Sequence, residues 1–346
     1  MFTLCSYLVI AMPRKTHGQH FLLSAKARTL SLSKLFGLSD AAAEDLFRAI
    51  RWASTEGQPV CPHCGCLTCW ECRRPNGASR FRCKACREDF SITSGTLFAF
   101  HKLPLRIYLA AIVVFINEVK GKSALALARD LDVQYKTAFV LAHKLREAMA
   151  AELRDANVGG PGTIAEVDGC YVGGHVRQEN RKEDRKDRRL AENQNGKRRC
   201  VVAIRERDGR TITKTFGSED ASLGFIKKRL AKGGELHADE SPAWNPLHAR
   251  YPMKRINHQD GYSIDGACTN GAESFFSRLR RAEIGIYHHI GGAYIDRYAQ
   301  ESAFREDHRR QANGALFGRV TGLVATNKPS VDFCGYWQRS QDKMAA

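Results

Sequence analysis

The stretch I-A-E-V-D-G-C-Y-V-G-G, residues 164–174, decides the fold of the second half of the chain. Its apolar residues predict a β-strand over Thr163–Val172, which ends at a pair of glycines. Asp168 lies in the middle of this strand. A carboxylate in the core of a strand lowers stability unless a partner or a metal ion compensates its charge. Asp168 is therefore the first candidate for a metal ligand.

The residues after this strand predict the remaining elements of one α/β domain over residues 160–312. In chain order they are a hairpin of Arg199–Arg205 and Arg210–Phe216 around Asp208-Gly209, a helix at Ser222–Leu230, a strand at Glu235–Ala238 and a helix at Asn270–Arg281. This order is typical of a mixed sheet. A charge-dense insertion, residues 175–199, interrupts the domain, and we expect it to form a mobile loop. Its basic side chains either contact phosphates or are simply solvated, and the sequence favours neither.

Two further acidic residues complete a candidate metal site. Asp239 directly follows a predicted strand, and Glu273 lies on a predicted helix with Asn270 three residues earlier on the same face. A strand, a strand end and a helix can converge on one point. Carboxylates of this kind hold two Mg²⁺ or Mn²⁺ ions about 4 Å apart in enzymes that act on phosphodiesters. We therefore expect Mg²⁺ (or Mn²⁺) at Asp168, Asp239 and Glu273.

A cysteine cluster precedes this domain and predicts a second metal site. Seven of the twelve cysteines lie between Cys61 and Cys86, and two pairs have the spacing C-x-x-C: Cys61 with Cys64, and Cys83 with Cys86. Two such pairs complete a closed tetrahedral site for a structural Zn²⁺. The intervening Cys66, Cys69 and Cys72 offer other ligand combinations, of which the outer quartet is preferred.

The rest of the chain divides into five segments. We expect residues 1–20 to be poorly ordered, 21–57 to be helical, 58–100 to form a zinc ribbon and 101–155 to form a helix-turn-helix-like DNA-binding region, while the tail 313–346 shows no clear periodicity. In the helix-turn-helix-like region, the predicted inner face carries Leu125, Leu127, Ala128 and Leu131. The second helix would present to DNA Gln134, Tyr135, Lys136, Lys144 and Arg146. Two plainly packed helices are the alternative.

The charge of the chain indicates the class of its partner. There are 54 Lys and Arg residues against 37 Asp and Glu residues, so the formal net charge is +17. An excess of this size favours a polyanion, most often nucleic acid. No stretch approaches the roughly 20 apolar residues that span a bilayer. Cysteines scattered along such a chain indicate a reducing compartment, and we expect a cytoplasmic, nucleoid-associated protein.

Taken together, these motifs resemble the DDE-type insertion-sequence transposases, specifically the zinc-ribbon, ISXO-like branch. The matching stretches lie between Phe21 and Arg310 and include C-P-H-C-G, F-R-C-K-A-C-R-E-D-F-S-I-T-S-G-T-L-F, E-V-D-G-C-Y-V-G-G, H-A-D-E-S, T-N-G-A-E-S-F-F-S-R-L-R-R and G-I-Y-H-H-I. The resemblance implies an RNase H-like catalytic domain. It assigns the first acid to Asp168, the second to Asp239 and the third to Glu273 or Asn270.

The resemblance also implies roles for residues outside the acidic triad. His258 matches a histidine that precedes the third motif, and Tyr287, His288 and His289 match a basic-aromatic motif that contacts DNA. On the helix after Glu273, Arg278, Arg280 and Arg281 are expected to contact phosphates.

The chain departs from the family pattern at three positions. Gly169 replaces an acid that often follows the first aspartate, Cys268 replaces a histidine before T-N, and Trp244 fills a tyrosine position. These changes concern the surroundings of the ligands rather than the ligands themselves.

The sequence therefore predicts a DNA transposase that binds the ends of its insertion sequence, cuts them and joins the freed 3′-hydroxyl to target DNA. Work at two DNA ends and target DNA implies a homo-oligomer on DNA. Two alternatives remain open at this point. One is an RNase H-like nuclease that only cuts, and the other is a zinc-ribbon DNA-binding regulator with an inactive catalytic domain.

Overall fold

The computed structural model describes residues 20–73, 79–174, 179–187, 190–193, 196–257, 266 and 268–336. The expectation for residues 1–19, the position of His258 and parts of the insertion 175–199 lie outside the described residues. Within the described part, no helix is both long and apolar enough to cross a bilayer.

The first half of the chain combines short helices with a small antiparallel sheet. Helices α1 (Leu32–Phe36) and α2 (Asp40–Arg51) precede strands β1 (Cys69–Arg73), β2 (Ser79–Cys83) and β3 (Asp89–Phe90). The Ser39 side chain caps α2 by accepting a hydrogen bond from the Ala42 amide at 3.2 Å. Helices α3 (Leu105–Asn117), α4 (Ala124–Leu131) and α5 (Tyr135–Leu153) follow.

A five-stranded mixed sheet forms the second half. Its strands are β5 (Ile164–Val172), β6 (Arg199–Glu206), β7 (Thr211–Phe216), β9 (Glu235–Asp239) and β10 (Met253–Ile256), in the order β10-β9-β5-β6-β7. Strands β5, β6 and β7 are antiparallel, whereas β9 is parallel to both β5 and β10. A separate parallel pair joins β4 (Val158–Gly159) to β8 (Leu230–Ala231). The mixed α/β architecture, the hairpin and both strands that carry aspartates are confirmed.

Helices cover both faces of this sheet, as the alternation of side chains requires. Ala165 and Val167 of β5 face a core that includes α6 (Leu223–Arg229) and the short helix Pro242–Leu247. Cys170 and Val172 face the opposite core, which includes α7 (Asn270–Ala282) and α8 (Ile295–Asp307). Asp168 has the same parity as Cys170 and therefore lies on the α7 face.

The tail contains a helix that no periodic pattern in the sequence predicts. Helix α9 spans Asn313–Thr326 and buries Phe317, Val320 and Val324 in the same core as α2, α3 and α5. Three glycines in this helix lower its intrinsic helix propensity. Tertiary packing outweighs that cost, because the apolar residues of α9 complete the core of the first half.

Candidate active site and zinc site

The four cysteines of the outer quartet converge on one point. The Sγ atoms of Cys61 and Cys86 are 3.6 Å apart, as are those of Cys64 and Cys83, and all four sulfur atoms lie within 4.8 Å of one another. Zinc–sulfur bonds of about 2.3 Å in a tetrahedron give sulfur–sulfur distances of about 3.8 Å. The quartet therefore fits a structural Zn²⁺. The exposed Cys72, on β1, lies outside it.

The parallel pairing of β5 and β9 places two of the predicted acids side by side. The register matches Glu166 with His237 and Val167 with Ala238. When this register is continued by one residue, Asp168 of β5 lies beside Asp239 of β9. Both aspartates are on the face of the sheet that α7 covers, because side chains alternate along each strand.

Hydrogen bonds orient each of the two aspartates. The Trp244 indole Nε1–H donates to Asp239 Oδ1 at 2.6 Å, and the Ser241 amide donates to the same oxygen at 3.2 Å. The Gly169 amide donates to Asp168 Oδ1 at 2.7 Å. Trp244, which departs from the family pattern, thus supplies a donor to the second acid.

Helix α7 brings the third acid close to the first. Burial, together with the negative charges of Asp239 and Glu273, raises the pKa of Asp168 to about 7. Within the described residues, only the cysteine quartet gathers three or more candidate ligands whose atoms all lie within 4.8 Å. The three carboxylates therefore approach one another without reaching that spacing. Asn270 is exposed at the first position of α7, and Glu273 is half-buried one turn later.

Glu219 is a fourth carboxylate at this site, and no motif in the sequence points to it. Its Oε2 accepts a hydrogen bond from the Ser241 hydroxyl at 2.7 Å, and its charge contributes to the raised pKa of Asp168. A Cβ atom added at Gly169 would lie 2.7 Å from Glu219 Oε1, so the absence of a side chain at residue 169 leaves room for this carboxylate. No spacing rule links residues 169 and 219 in the sequence.

The predicted recognition helix is only partly exposed. Tyr135 and Lys136 at the start of α5 are exposed, in agreement with the prediction, but Lys144 is half-buried and burial lowers its pKa. The prediction that Arg146 faces DNA is wrong. Arg146 is 1% exposed, and its Nε donates to Glu301 Oε2 at 2.7 Å. Leu125, predicted to face inward, is instead exposed on α4.

The arginines after Glu273 have different surroundings. Arg278 forms an ion pair with Glu306, and Arg280 is exposed while its Nε contacts Cys170 Sγ at 3.0 Å. Arg281 is exposed and donates to the Ser277 hydroxyl at 2.8 Å.

The basic-aromatic motif is split between the surface and the interior. His288 and His289 are exposed, and His288 has a positive φ of 57°. Tyr287 instead packs against Tyr298, with ring centroids 4.5 Å apart. Burial raises the pKa of the Tyr287 hydroxyl well above its ordinary value.

The structure thus combines a cysteine quartet that fits zinc with a mixed α/β domain that has carboxylates on adjacent strands. These features define a zinc-ribbon protein with an acidic α/β domain. Comparison with known families agrees in both parts. Residues 161–307 match the ISXO2-like transposase domain, and residues 38–89 match the transposase zinc-ribbon domain. The chain therefore carries both domains that characterise the zinc-ribbon, ISXO2-like transposases.

One curated relative extends this similarity along most of the chain. It is described as an uncharacterized protein in transposable element ISH50 of Halobacterium salinarum. The two sequences are 23% identical over 254 residues, which cover 70% of this chain and 83% of the relative.

Proposed function

We propose that this protein is a DNA transposase that binds the ends of its insertion sequence and catalyses metal-dependent strand cleavage and strand transfer. The proposal rests on the positions of Asp168 and Asp239, which lie side by side on adjacent parallel strands. Glu273 on α7 is close enough to raise the pKa of Asp168. This arrangement lies inside the range that matches the transposase domain. The strand order, with three antiparallel strands followed by two parallel ones, supports an RNase H-like fold for that domain.

The donor set suits a hard divalent cation. Asp168, Asp239 and Glu273 offer carboxylate oxygens, and Asn270 offers an amide oxygen on the same helix as Glu273. Such oxygens are the ligands that Mg²⁺ and Mn²⁺ prefer. When bound, the metal ions lower the pKa of the attacking oxygen and stabilise the leaving oxygen of the phosphodiester.

The chain's own groups prepare this site for the reaction. Trp244 and Ser241 fix one oxygen of Asp239, and the Gly169 amide fixes one oxygen of Asp168. Each aspartate thereby keeps its other oxygen for a ligand. Fixed carboxylates cost less reorganisation at the moment of reaction, so they stabilise developing charge better than mobile ones.

DNA binding in this proposal rests on exposed basic and aromatic residues in both halves. Tyr135 and Lys136 at the start of α5 would enter a groove, and Lys144 would approach a phosphate. Arg280, Arg281, His288 and His289 would contact the backbone near the cleavage site, and Arg278 would join them after leaving Glu306. We propose that the protein acts as a homo-oligomer on the two ends and the target DNA, at the nucleoid in the cytoplasm.

The test is nicking of a labelled DNA that carries the host element's own end sequence, in the presence of Mg²⁺. We compare the wild type with Asp239→Ala and with Glu240→Ala, which removes the adjacent exposed carboxylate. The proposal expects nicking that is lost in Asp239→Ala and kept in Glu240→Ala. Strand-transfer products distinguish a transposase from a nuclease that only cuts. DNA binding without nicking in the wild type would favour the regulator and overturn the proposal.

A further inference from the structure

Glu166 is a buried carboxylate on β5 that the proposed chemistry does not use. The residue is 2% exposed, and both of its oxygens have partners. Oε1 accepts a hydrogen bond from Arg207 Nε at 3.0 Å, and Oε2 accepts one from the Ala272 amide at 2.9 Å. Ala272 is the third residue of α7, where the backbone amide has no acceptor within the helix. A negative charge at this end of a helix also favours its macrodipole.

Arg207 and His237 fix the segment that leads into α7. The Arg207 guanidinium donates to the Cys268 carbonyl at 3.2 Å and contacts the Cys268 sulfur at 2.7 Å. The Cys268 amide donates to His237 Nδ1 at 3.1 Å, and His237 is fully buried. The amide, carbonyl and sulfur of Cys268, another departure from the family pattern, therefore all contact Arg207 or His237. Three backbone groups around the start of α7 are held by side chains of two strands and of Arg207, the residue that follows β6.

Glu166 and His237 lie side by side on the face of the sheet that also carries Asp168 and Asp239, and we call these two residues the anchor row. Glu166 pairs with His237 in the register of β5 and β9, and each lies two residues before an aspartate of the site. The anchor row holds the start of α7, and Glu273 follows Ala272 directly. The position of the third acid relative to the first two is therefore set by contacts one row away.

Gly271 allows α7 to approach the anchor row this closely. A Cβ atom at this position would lie 2.7 Å from Glu166 Oε2 and 3.0 Å from Arg205 Nε. A larger residue at position 271 would force the Glu166 carboxylate, the Arg205 side chain or the first turn of the helix to shift.

We propose that Glu166 is a positioning residue, which acts through Ala272 to set Glu273 at the correct distance from Asp168 and Asp239. It is not a ligand, because Arg207 and Ala272 occupy both of its oxygens. The inference rests on the proposed function, since it concerns the metal site of that reaction. Partners of metal ligands in other proteins change metal affinity or activity by about 10- to 100-fold when they are mutated.

The test uses Glu166→Gln in the full-length protein. The glutamine loses the ion pair with Arg207 and replaces the charged acceptor of the Ala272 amide with a weaker, neutral one. We expect the Mg²⁺ concentration for half-maximal nicking to rise about tenfold, while DNA binding without metal stays unchanged. Mn²⁺ affinity, measured by electron paramagnetic resonance in the absence of DNA, falls by a similar factor.

Glu301→Gln is the matched control. Glu301 is 1% exposed and pairs with Arg146 and Arg305, away from the anchor row. This variant loses a buried charge of the same kind, and we expect it to keep the wild-type metal dependence. If Glu166→Gln fails to fold, Gly271→Ala disturbs the same contact by steric pressure and should raise the metal requirement in the same direction.

The outcomes separate the inference from the proposed function. Wild-type metal dependence and Mn²⁺ affinity in folded Glu166→Gln, or in Gly271→Ala, would overturn the positioning role. An increase of the same size in Glu301→Gln would also overturn it, because the effect would then be one of general stability. If the wild type does not nick DNA but Glu166→Gln selectively weakens Mn²⁺ binding, the proposed function fails while the positioning role stands.

Discussion

The cysteine quartet and the carboxylate site are both clusters of anionic ligands, but the chain builds them in opposite ways. Each C-x-x-C pair lies on one tight turn, and the four sulfurs are already within 4.8 Å. The acids come from β5, β9 and α7 and stay farther apart. A closed set of thiolates stabilises a fold, whereas an open set of fixed carboxylates leaves space for a substrate. The difference is one between a structural and a reactive metal site.

Loss of zinc should have the largest effect on the molecule. Structural zinc contributes about 10–16 kcal/mol of apparent binding free energy in small zinc domains. Cys83→Ser should therefore unfold the ribbon, and Phe81 and Phe90 would leave the core that they share with Trp52. Limited proteolysis and near-ultraviolet circular dichroism would detect the loss. Cys72→Ser, at the exposed cysteine of β1, should behave as the wild type, and equal loss there would refute the choice of ligands.

The buried Arg146 and Glu301 provide a third charged cluster, in which opposite charges compensate each other without a metal. Arg146 also stacks on Tyr298, with its Cζ atom 4.0 Å from the ring centroid. Arg146→Met should lower the free energy of unfolding by about 3 kcal/mol, because Glu301 stays buried with only Arg305 as a cationic partner. Urea denaturation measures this change. A destabilisation below about 1 kcal/mol would show that the pair does not couple α5 to α8.

Substitutions of Glu273 and of Asn270 should show which of the two residues is the third metal ligand. Glu273→Gln should lower the single-turnover rate constant for nicking at least 100-fold. This change corresponds to a loss of about 2.7 kcal/mol of transition-state stabilisation. Asn270→Ala should lower it about tenfold, because Asn270 is exposed at the start of the helix. The reverse ranking would assign the third position to Asn270.

Mg²⁺ should stabilise the folded protein through the carboxylate site. Without metal, Asp168 lies close to the negative charges of Asp239, Glu273 and Glu219. A cation at ten times its dissociation constant should add about 1.4 kcal/mol to the free energy of unfolding. Thermal melts with and without Mg²⁺ measure the shift. Asp168→Asn should be at least as stable as the wild type without metal and should respond less to Mg²⁺, whereas an unchanged response would place the bound ion elsewhere.

The sequence was informative where a local pattern carried the signal. The hairpin, the strand around Asp168, the strand that ends at Asp239 and the helix that carries Glu273 could all be predicted from periodicity. Their convergence on one point was inferred from the elements that carry the three acids and was supported by the resemblance. The structure supplies the register that brings Asp168 beside Asp239.

Long-range contacts explain what the sequence could not predict. The spacing of Arg146 on α5 fits an exposed position, but Glu301 meets it from α8 and the pair is buried. Glu219 approaches Gly169 across the fold, and α9 becomes a helix because the first half of the chain packs against its apolar side. None of these partners is visible within a window of one helix or strand.

Nicking by Asp168→Cys in Mg²⁺ and in Mn²⁺ shows whether Asp168 is a ligand of the catalytic metal. Thiolate is a poor ligand for Mg²⁺ and a better one for softer metals. If Asp168 binds the catalytic metal, this variant should be inactive with Mg²⁺ and should regain nicking of the element end with Mn²⁺. Full Mg²⁺-dependent nicking by Asp168→Cys would contradict the account, because the first acid would then have no role as a ligand.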